Sequence, residues 1–558
     1  MLRRFATATM TATEAQQGSP ATEAAKPGKL HGRAFYESIG SPKYIVAPMV
    51  DQSEFAWRML TRSYMPESEQ SKLLAYTPML HARLFSQEDK YRRGHFQAVR
   101  PDASEPWLDG NPSMDRPLFV QFCANDPDAL LAAARHVAPH CDAVDLNLGC
   151  PQGIARKGHY GAFLQEDQDL IFRLINKLHK ELSIPVTAKI RILETREKTL
   201  AYAQNVLKAG ASILTPAPET VMFANGNILQ ESDVQECLDA TGVDGIMSAE
   251  GNLSDPAIFA KPPAVGEEGR EYWRGKDGKG GWRVDGMTRR YLDIIHRYAL
   301  GEEPPKRRPL FMPGDDTAWL TETAEGDNDG GDEPARKRRK KDGPPRREEA
   351  NPNLSAMQPH LFHLLRHFVS RHTDVRDMLA RSRKDGVDGY ERVLDAVERK
   401  IAEGLLEYER TGGESFEAEL RALDDAPAPT ATTAAATGGN SGEESAAAAA
   451  VAQVPEAESS RGTIRRCKRP WWVAQPIVRP LPSEALAKGA ITLSKKNKAA
   501  GVKEPKTGPG NDNGSGNGKE NGNGSGSGSG NGPNGAAQKA EAEGKKEEIA
   551  SRDELVAG

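Results

Sequence analysis

Between Tyr44 and Phe259 short apolar runs recur, separated by stretches of helical spacing and by turn residues. That alternation predicts strands and helices in turn around a parallel sheet. Eight strand candidates stand out: Tyr44 to Val50, Leu73 to Thr77, Pro117 to Cys123, Ala143 to Leu148, Val186 to Ile192, Ser212 to Thr215, Val221 to Asn225 and Gly245 to Ser248. Between them, Asp126-Pro127 followed by Asp128 to Val137 reads as a capped helix with proline in its first turn. Glu166 to Leu182 places Leu170, Ile171, Leu174, Ile175 and Leu178 at helical spacing ahead of Pro185. Pro48-Met49-Val50, Gly149-Cys150, Asn225-Gly226-Asn227 and Ala249-Glu250-Gly251 all fall at or just past the C-terminal ends of strand candidates. In an α/β (β/α)8 TIM barrel, the expected fold, that face carries the active site.

One connection breaks the pattern. Only Pro216 to Thr220 separate the sixth candidate strand from the seventh. A parallel crossover with its helix needs roughly ten to twelve residues, and two prolines in five positions leave no useful helical turn. The barrel as written lacks the segment between strands six and seven.

Outside residues 41–262 the pattern changes. Residues 1–40 are rich in Ala, Thr and Glu and read as a disordered leader. Helical spacing appears at Met287 to Leu300, Gln358 to Ala380 and Gly389 to Tyr408, which predicts a small helical domain over 285–410. It is interrupted at 313–350 by acidic and then basic blocks, including Ala335 to Lys341, that read as a disordered insertion. Residues 411–558 read as a mostly disordered low-complexity tail, with one apolar island at Lys468 to Pro482 that contains Trp471 and Trp472.

Composition narrows the classes. The 558 residues are 37% hydrophobic, and the mean hydropathy of -0.62 means that packing must be concentrated in part of the chain. A net charge of -5 provides no global field for a polyanion, so any nucleic-acid surface must be local. Five cysteines without paired spacing argue for reduced thiols and against a metal site. No apolar run approaches the roughly 18 residues of a membrane span. The run Ala335 to Lys341 reads as a nuclear import signal or an electrostatic tether, and Arg3 and Arg4 among hydroxyl residues give the N-terminus some likeness to an organelle leader. Cytoplasm or nucleus is the expected location, mitochondrion the alternative, and a monomer the expected state.

Cys150 has two readings, a small core residue or a catalytic thiol. Its place past a strand end, between Gly149 and Pro151 and near Gly153, favours the second. A thiol is mostly protonated near neutrality and can donate a proton without special tuning. Lys189 carries a charge in the middle of a barrel strand, which calls for either a carboxylate such as Asp145 or an anionic cofactor. Gln121, on an inner strand, needs hydrogen-bond partners. The Asn225-Gly226-Asn227 and Ala249-Glu250-Gly251 loops end the last two strands, where such barrels commonly hold phosphate.

Ala47-Pro48-Met49-Val50-Asp51, Thr77-Pro78-Met79, Val120 to Asn125, Asp145 to Gln152, Ala188 to Arg191, Phe223 to Asn227 and Ser248 to Gly251 together resemble the tRNA-dihydrouridine synthase family. The likeness is to its eukaryotic branch acting on D-loop positions 16 and 17, and it spans about residues 41–262. The resemblance implies FMN held by Pro48, Met49, Val50, Gln121, Lys189, Asn225, Gly226, Asn227, Ala249 and Glu250. It also implies NADPH or NADH as reductant, hydride delivery to C6 of a uracil and protonation of C5 by Cys150. The His-Gly-Arg motif that such proteins carry after strand six has no counterpart here. Two readings therefore stand beside the enzyme: a non-catalytic RNA-binding remnant, and another FMN barrel acting on free pyrimidines. Arg366, Arg371 and Arg376, interleaved with apolar positions, are either a solvated helix face or a tRNA-backbone surface.

Overall fold

The computed structural model describes residues 29–100, 104–213, 220–226, 228–321, 351–425, 459–481 and 484–485. Strands β1 (Tyr44–Val46), β2 (Leu73–Tyr76), β3 (Leu80–His81), β4 (Leu118–Cys123), β5 (Ala143–Leu148), β6 (Val186–Ile190), β7 (Phe223–Asn225) and β8 (Gly245–Ser248) form one sheet. Every pairing is parallel, in the order β6-β5-β4-β2-β1-β8-β7, with the short β3 beside the end of β4. Helices α1 (Gly32–Ser38), α2 (Phe55–Ser63), α3 (Ala82–Gln87), α4 (Asp89–His95), α5 (Pro127–Val137), α6 (Gly153–Gly158), α7 (Gln168–Glu181), α8 (Arg196–Lys208), α9 (Glu231–Thr241) and α10 (Glu250–Ser254) accompany it. The expected caps are made: the Asp126 carboxylate accepts the Asp128 and Ala129 amides, and Asp167 accepts that of Leu170. Helix α7 buries Ile171, Leu174, Ile175 and Leu178, the stripe its spacing predicts.

The ring is thinnest where the sequence is short. The Ser212 amide donates to the Val186 carbonyl at 2.8 Å, and Ile213 bridges Val221 in parallel. Among the described residues the sixth barrel strand is reduced to Ser212 and Ile213. No helix among them connects it to β7, and residues 214–219 lie outside the description. This is an incomplete (β/α)8 barrel, as the connection length requires.

The barrel interior grades from apolar to polar along its axis. At the N-terminal end Ile45, Leu74, Phe119, Ala143, Ile213, Val221 and Met247 pack together. Helix α1 closes that end: Phe35 stacks on Phe119 at 5.9 Å, the Tyr36 hydroxyl donates to the Pro42 and Asp244 carbonyls, and Arg33 pairs with Asp244. Residues 29–40 are therefore a barrel plug rather than part of a disordered leader. A seven-residue helix with two apolar anchors leaves almost no periodic signal, and its partners lie far along the chain.

A hairpin, β9 (Tyr272–Arg274) and β10 (Gly280–Trp282), leads into α11 (Val284–Ile294), α12 (Ala318–Thr321), α13 (Pro352–Leu364), α14 (Arg366–Arg371), α15 (Thr373–Arg381), α16 (Gly386–Arg410) and α17 (Glu414–Asp425). The expected single run from Gln358 to Ala380 is thus three helices. One apolar face is buried across both breaks, so the spacing continues while the axis turns. The insertion starts later than 313, because Trp319 of α12 packs against Phe311 and lies under Arg308, 3.9 Å from its ring centre. The tail is also ordered in part: α17 extends past 410, and after a gap α18 (Ser460–Cys467) leads to the buried Trp471 and Trp472. The basic run Ala335 to Lys341 falls outside the described residues.

The helical domain is fastened to α2, which is itself bonded to α10. The Ala56 amide donates to Asn353 Oδ1 at 2.8 Å, Trp57 stacks on His360 at 4.0 Å, and Trp57 Nε1 donates to Asn252 Oδ1 at 2.8 Å. Because α10 starts at the C-terminal end of β8, these contacts place the domain beside the barrel mouth. No described helix is long and apolar enough to cross a membrane.

Candidate active site

Register fixes which side chains share the barrel interior. Gln121 lies opposite Asp145, Asp145 opposite Thr187, and Asn147 opposite Lys189. Side chains two apart on a strand share a face, so this polar set sits above the apolar floor. Asp145 accepts Thr187 Oγ1 at 2.6 Å and Gln121 Nε2 at 2.8 Å, and Gln121 Oε1 accepts Asn147 Nδ2 at 2.8 Å. Gln121 thus has the partners its burial demands. Burial pushes the Asp145 carboxyl up to about 6, against the two hydrogen bonds and the charge of Lys189. Burial likewise lowers the Lys189 pKa, with Asp145 opposing. The Lys189 ammonium feels Asp145 but makes no hydrogen bond among the described residues, while Thr187 and Gln121 both donate to that carboxylate. A half-buried donor with unused hydrogens fits an acceptor-rich ligand in the mouth.

The Asp145 shift has a measurable sign. The unfolded carboxyl releases its proton near pH 4 and the native one near 6, so stability falls as pH rises across that window and is level above it. Asp145→Asn removes this slope. The unfolding free energy of the variant minus that of the parent should increase by about 2 kcal/mol between pH 4 and pH 7, read by urea denaturation. A pH-independent difference would refute it.

Cys150 is held by backbone. Asn147 Oδ1 accepts the amides of Gly149 and Cys150 at 3.1 and 3.0 Å, and the Ala162 amide donates to the Cys150 carbonyl at 3.0 Å. Gly161, at φ +66°, lets the chain pass: a Cβ there would stand 2.7 Å from the Cys150 carbonyl oxygen. The thiol lies 3.8 Å from Gln152 Oε1. Of the five cysteines Cys150 alone is not buried. Its neighbour across the strands, Cys123, is sealed under Tyr160, and burial pushes that thiol up to about 12.

The remaining candidates ring the mouth. Pro48 and Met49 are half-buried and Val50 is exposed; the loop is pinned by the Met49 amide donating to Ser53 Oγ at 3.1 Å. Asn225, the last residue of β7, and Gly226 and Glu250, just past β7 and β8, are exposed, with Ala249 half-buried. Gly226 faces open space, whereas a Cβ on Gly251 would come 2.1 Å from the Ile228 carbonyl oxygen, so the two loops pack backbone to backbone. Asn227 lies outside the described residues. The structure gathers Cys150, Gln121, Lys189 and the loops after β1, β7 and β8 at one end of one barrel. No group of His, Cys, Asp and Glu among the described residues could hold a metal.

The dihydrouridine synthase family pattern matches residues 45–216 and 214–273, two pieces that meet at the short connection. An NAD(P)(+)-linked tRNA-dihydrouridine(16/17) synthase of Saccharomyces cerevisiae is 40% identical over 404 residues, covering 67% of this chain and 78% of that protein. The chain belongs to the dihydrouridine synthase family. A Schizosaccharomyces pombe protein of the same description is 41% identical over 379 residues, 63% of this chain and 76% of that one. A Mus musculus protein described as tRNA-dihydrouridine(16/17) synthase-like is 45% identical over 272 residues, 44% of this chain and 54% of that one.

For this member of the family, inspection of the sequence overlooks two positioning residues. Asn147 shares the inward parity of Asp145 and precedes Gly149 by two, so counting by twos from Asp145 would have found it. Gly161 has no such signal, since only the fold brings it against Cys150. The three arginines separate: Arg371 pairs with Glu419 and lies 5.6 Å from the Trp471 ring, and Arg376 pairs with Asp377 at 3.0 Å. Arg366 is exposed with no ion pair among the described residues.

Proposed function

We propose that this chain is an FMN-dependent tRNA-dihydrouridine synthase acting at positions 16 and 17 of the D-loop with NADPH or NADH as reductant. The observation that carries the reading is Cys150, a solvent-reaching thiol fixed past a strand end beside the uncommitted ammonium of Lys189. Pro48, Met49, Val50, Gln121, Lys189, Asn225, Gly226, Asn227, Ala249 and Glu250 would hold the flavin. Bound there, FMN supplies the hydride for C6 of the uracil ring. Cys150 Sγ gives its proton to C5. Asn147 holds the Cys150 backbone, and Gln152 is within reach of the thiol. A uridine in folded RNA must leave its stack to enter such a mouth, which suits a helical domain set beside it to grip the backbone. Assay against a uridine-containing tRNA transcript and against free uracil tests the substrate class: reduction of the transcript alone is expected, and equal turnover of free uracil would overturn it.

Of the three arginines Arg366 is best placed to meet phosphate, because among the described residues it pairs with no acid. Arg366→Ala should weaken tRNA binding and reduce the slope of log K against log salt by about 1. Arg376→Ala should change it less. A slope unaltered by Arg366→Ala would remove this side chain from the interface.

A further inference from the structure

The segment Ser459–Leu481 joins the neighbouring loops that follow β7 and β8 by way of the helical domain. At its start Arg466 pairs with Asp233 at 2.9 Å, and the other oxygen of that carboxylate accepts the Leu229 and Gln230 amides at 2.9 and 3.2 Å. It thereby fastens the loop that follows β7. In the middle, Val473 bridges Arg283, the Val284 amide donates to the Trp472 carbonyl at 3.1 Å, and the Ala474 amide donates to the Trp282 carbonyl at 2.9 Å. Trp471 and Trp472 lie against Gly404 of α16, where an added Cβ would come 2.5 Å from the Trp471 ring and 3.2 Å from Trp472. A glycine inside a 25-residue helix costs about 1 kcal/mol relative to alanine, and here it makes room for the indoles. At its far end Arg479 pairs with Glu250, in the loop that follows β8.

We propose that this segment is a clasp that completes the catalytic site, holding the two loops expected to take the cofactor phosphate and, through Arg479, neutralising Glu250 so that an anion can approach. The proposal rests on the FMN reading above. The Glu250 side chain is an acid in a loop whose backbone would receive the phosphate, and two like charges at close range disfavour binding unless one is compensated. Arg479 supplies the compensation from more than two hundred residues away in sequence. It acts through Glu250 and is a positioning residue.

The test uses the full chain and two readouts. Without cofactor, amide hydrogen exchange over residues 248–254 should be faster in Arg479→Ala than in the parent. In FMN titration, Arg479→Ala should bind roughly three- to tenfold more weakly, and Arg479→Lys, which keeps the charge, should stay within about twofold of the parent, which a merely structural loss would not do. Unchanged exchange overturns the clasp. Arg479→Lys binding as weakly as Arg479→Ala overturns the charge argument. If the parent itself takes up no FMN, the cofactor reading falls and the exchange comparison still decides the clasp.

Discussion

Replacing Cys150 by alanine is expected to slow dihydrouridine formation by about 10²- to 10⁴-fold while leaving reduction of bound FMN by NADPH unchanged. The split follows from the division of labour in the mouth. The flavin would supply the hydride, and the protein would have to supply one proton to the ring carbon that becomes negative. Cys150 is the cysteine placed to do so: Cys123 is sealed under Tyr160, and Cys141, Cys237 and Cys467 are buried elsewhere. Folding should survive, because Cys150 is half-buried and its backbone, not its sulfur, makes the hydrogen bonds to Asn147 and Ala162. Flavin reduction is followed by absorbance and dihydrouridine by primer-extension arrest. Equal product from the variant would remove Cys150 from the mechanism.

The second large effect concerns the seam. Among the described residues the ring between β6 and β7 is joined only through Ser212 and Ile213, at its floor. The upper parts of both strands have no described sheet partner on that side. No crossover helix stands among the described residues between them, and the His-Gly-Arg motif that the resemblance leads one to expect there has no counterpart in the sequence. A lost charge-assisted hydrogen bond costs about 1.5–3 kcal/mol, roughly 10- to 100-fold in affinity. Recombinant protein should therefore purify poor in flavin. Inserting a crossover loop and helix that carries a His-Gly-Arg motif between Thr215 and Pro216 should tighten FMN binding by that factor. A stoichiometric flavin spectrum from the unaltered chain would contradict the prediction.

Much of the barrel was legible because strands and helices in an α/β ring alternate within short stretches of chain. The floor-to-mouth gradient is visible at Phe119, Gln121 and Cys123, or at Ala143, Asp145 and Asn147, where every second residue belongs to the interior. The broken connection was legible from length alone. What local pattern could not reveal were contacts made over long separations: α1 under Phe119, Trp319 beneath Arg308, and Trp471 and Trp472 against Gly404. Low-complexity flanks hid the last of these. An apolar island of fifteen residues, Lys468 to Pro482, reads as an isolated patch until the groove at Gly404 is seen. For Lys189 the sequence left a carboxylate and a cofactor as alternatives, and the structure shows Asp145 near it yet committed to Thr187 and Gln121.

The central claim, that this chain reduces uridine in tRNA with FMN and NAD(P)H, is tested most directly by incubating the purified protein with saturating FMN, NADPH and a D-loop-uridine tRNA transcript and mapping dihydrouridine by position. The account predicts product at positions 16 and 17, dependent on added FMN. No product above the protein-free control at saturating FMN would contradict it.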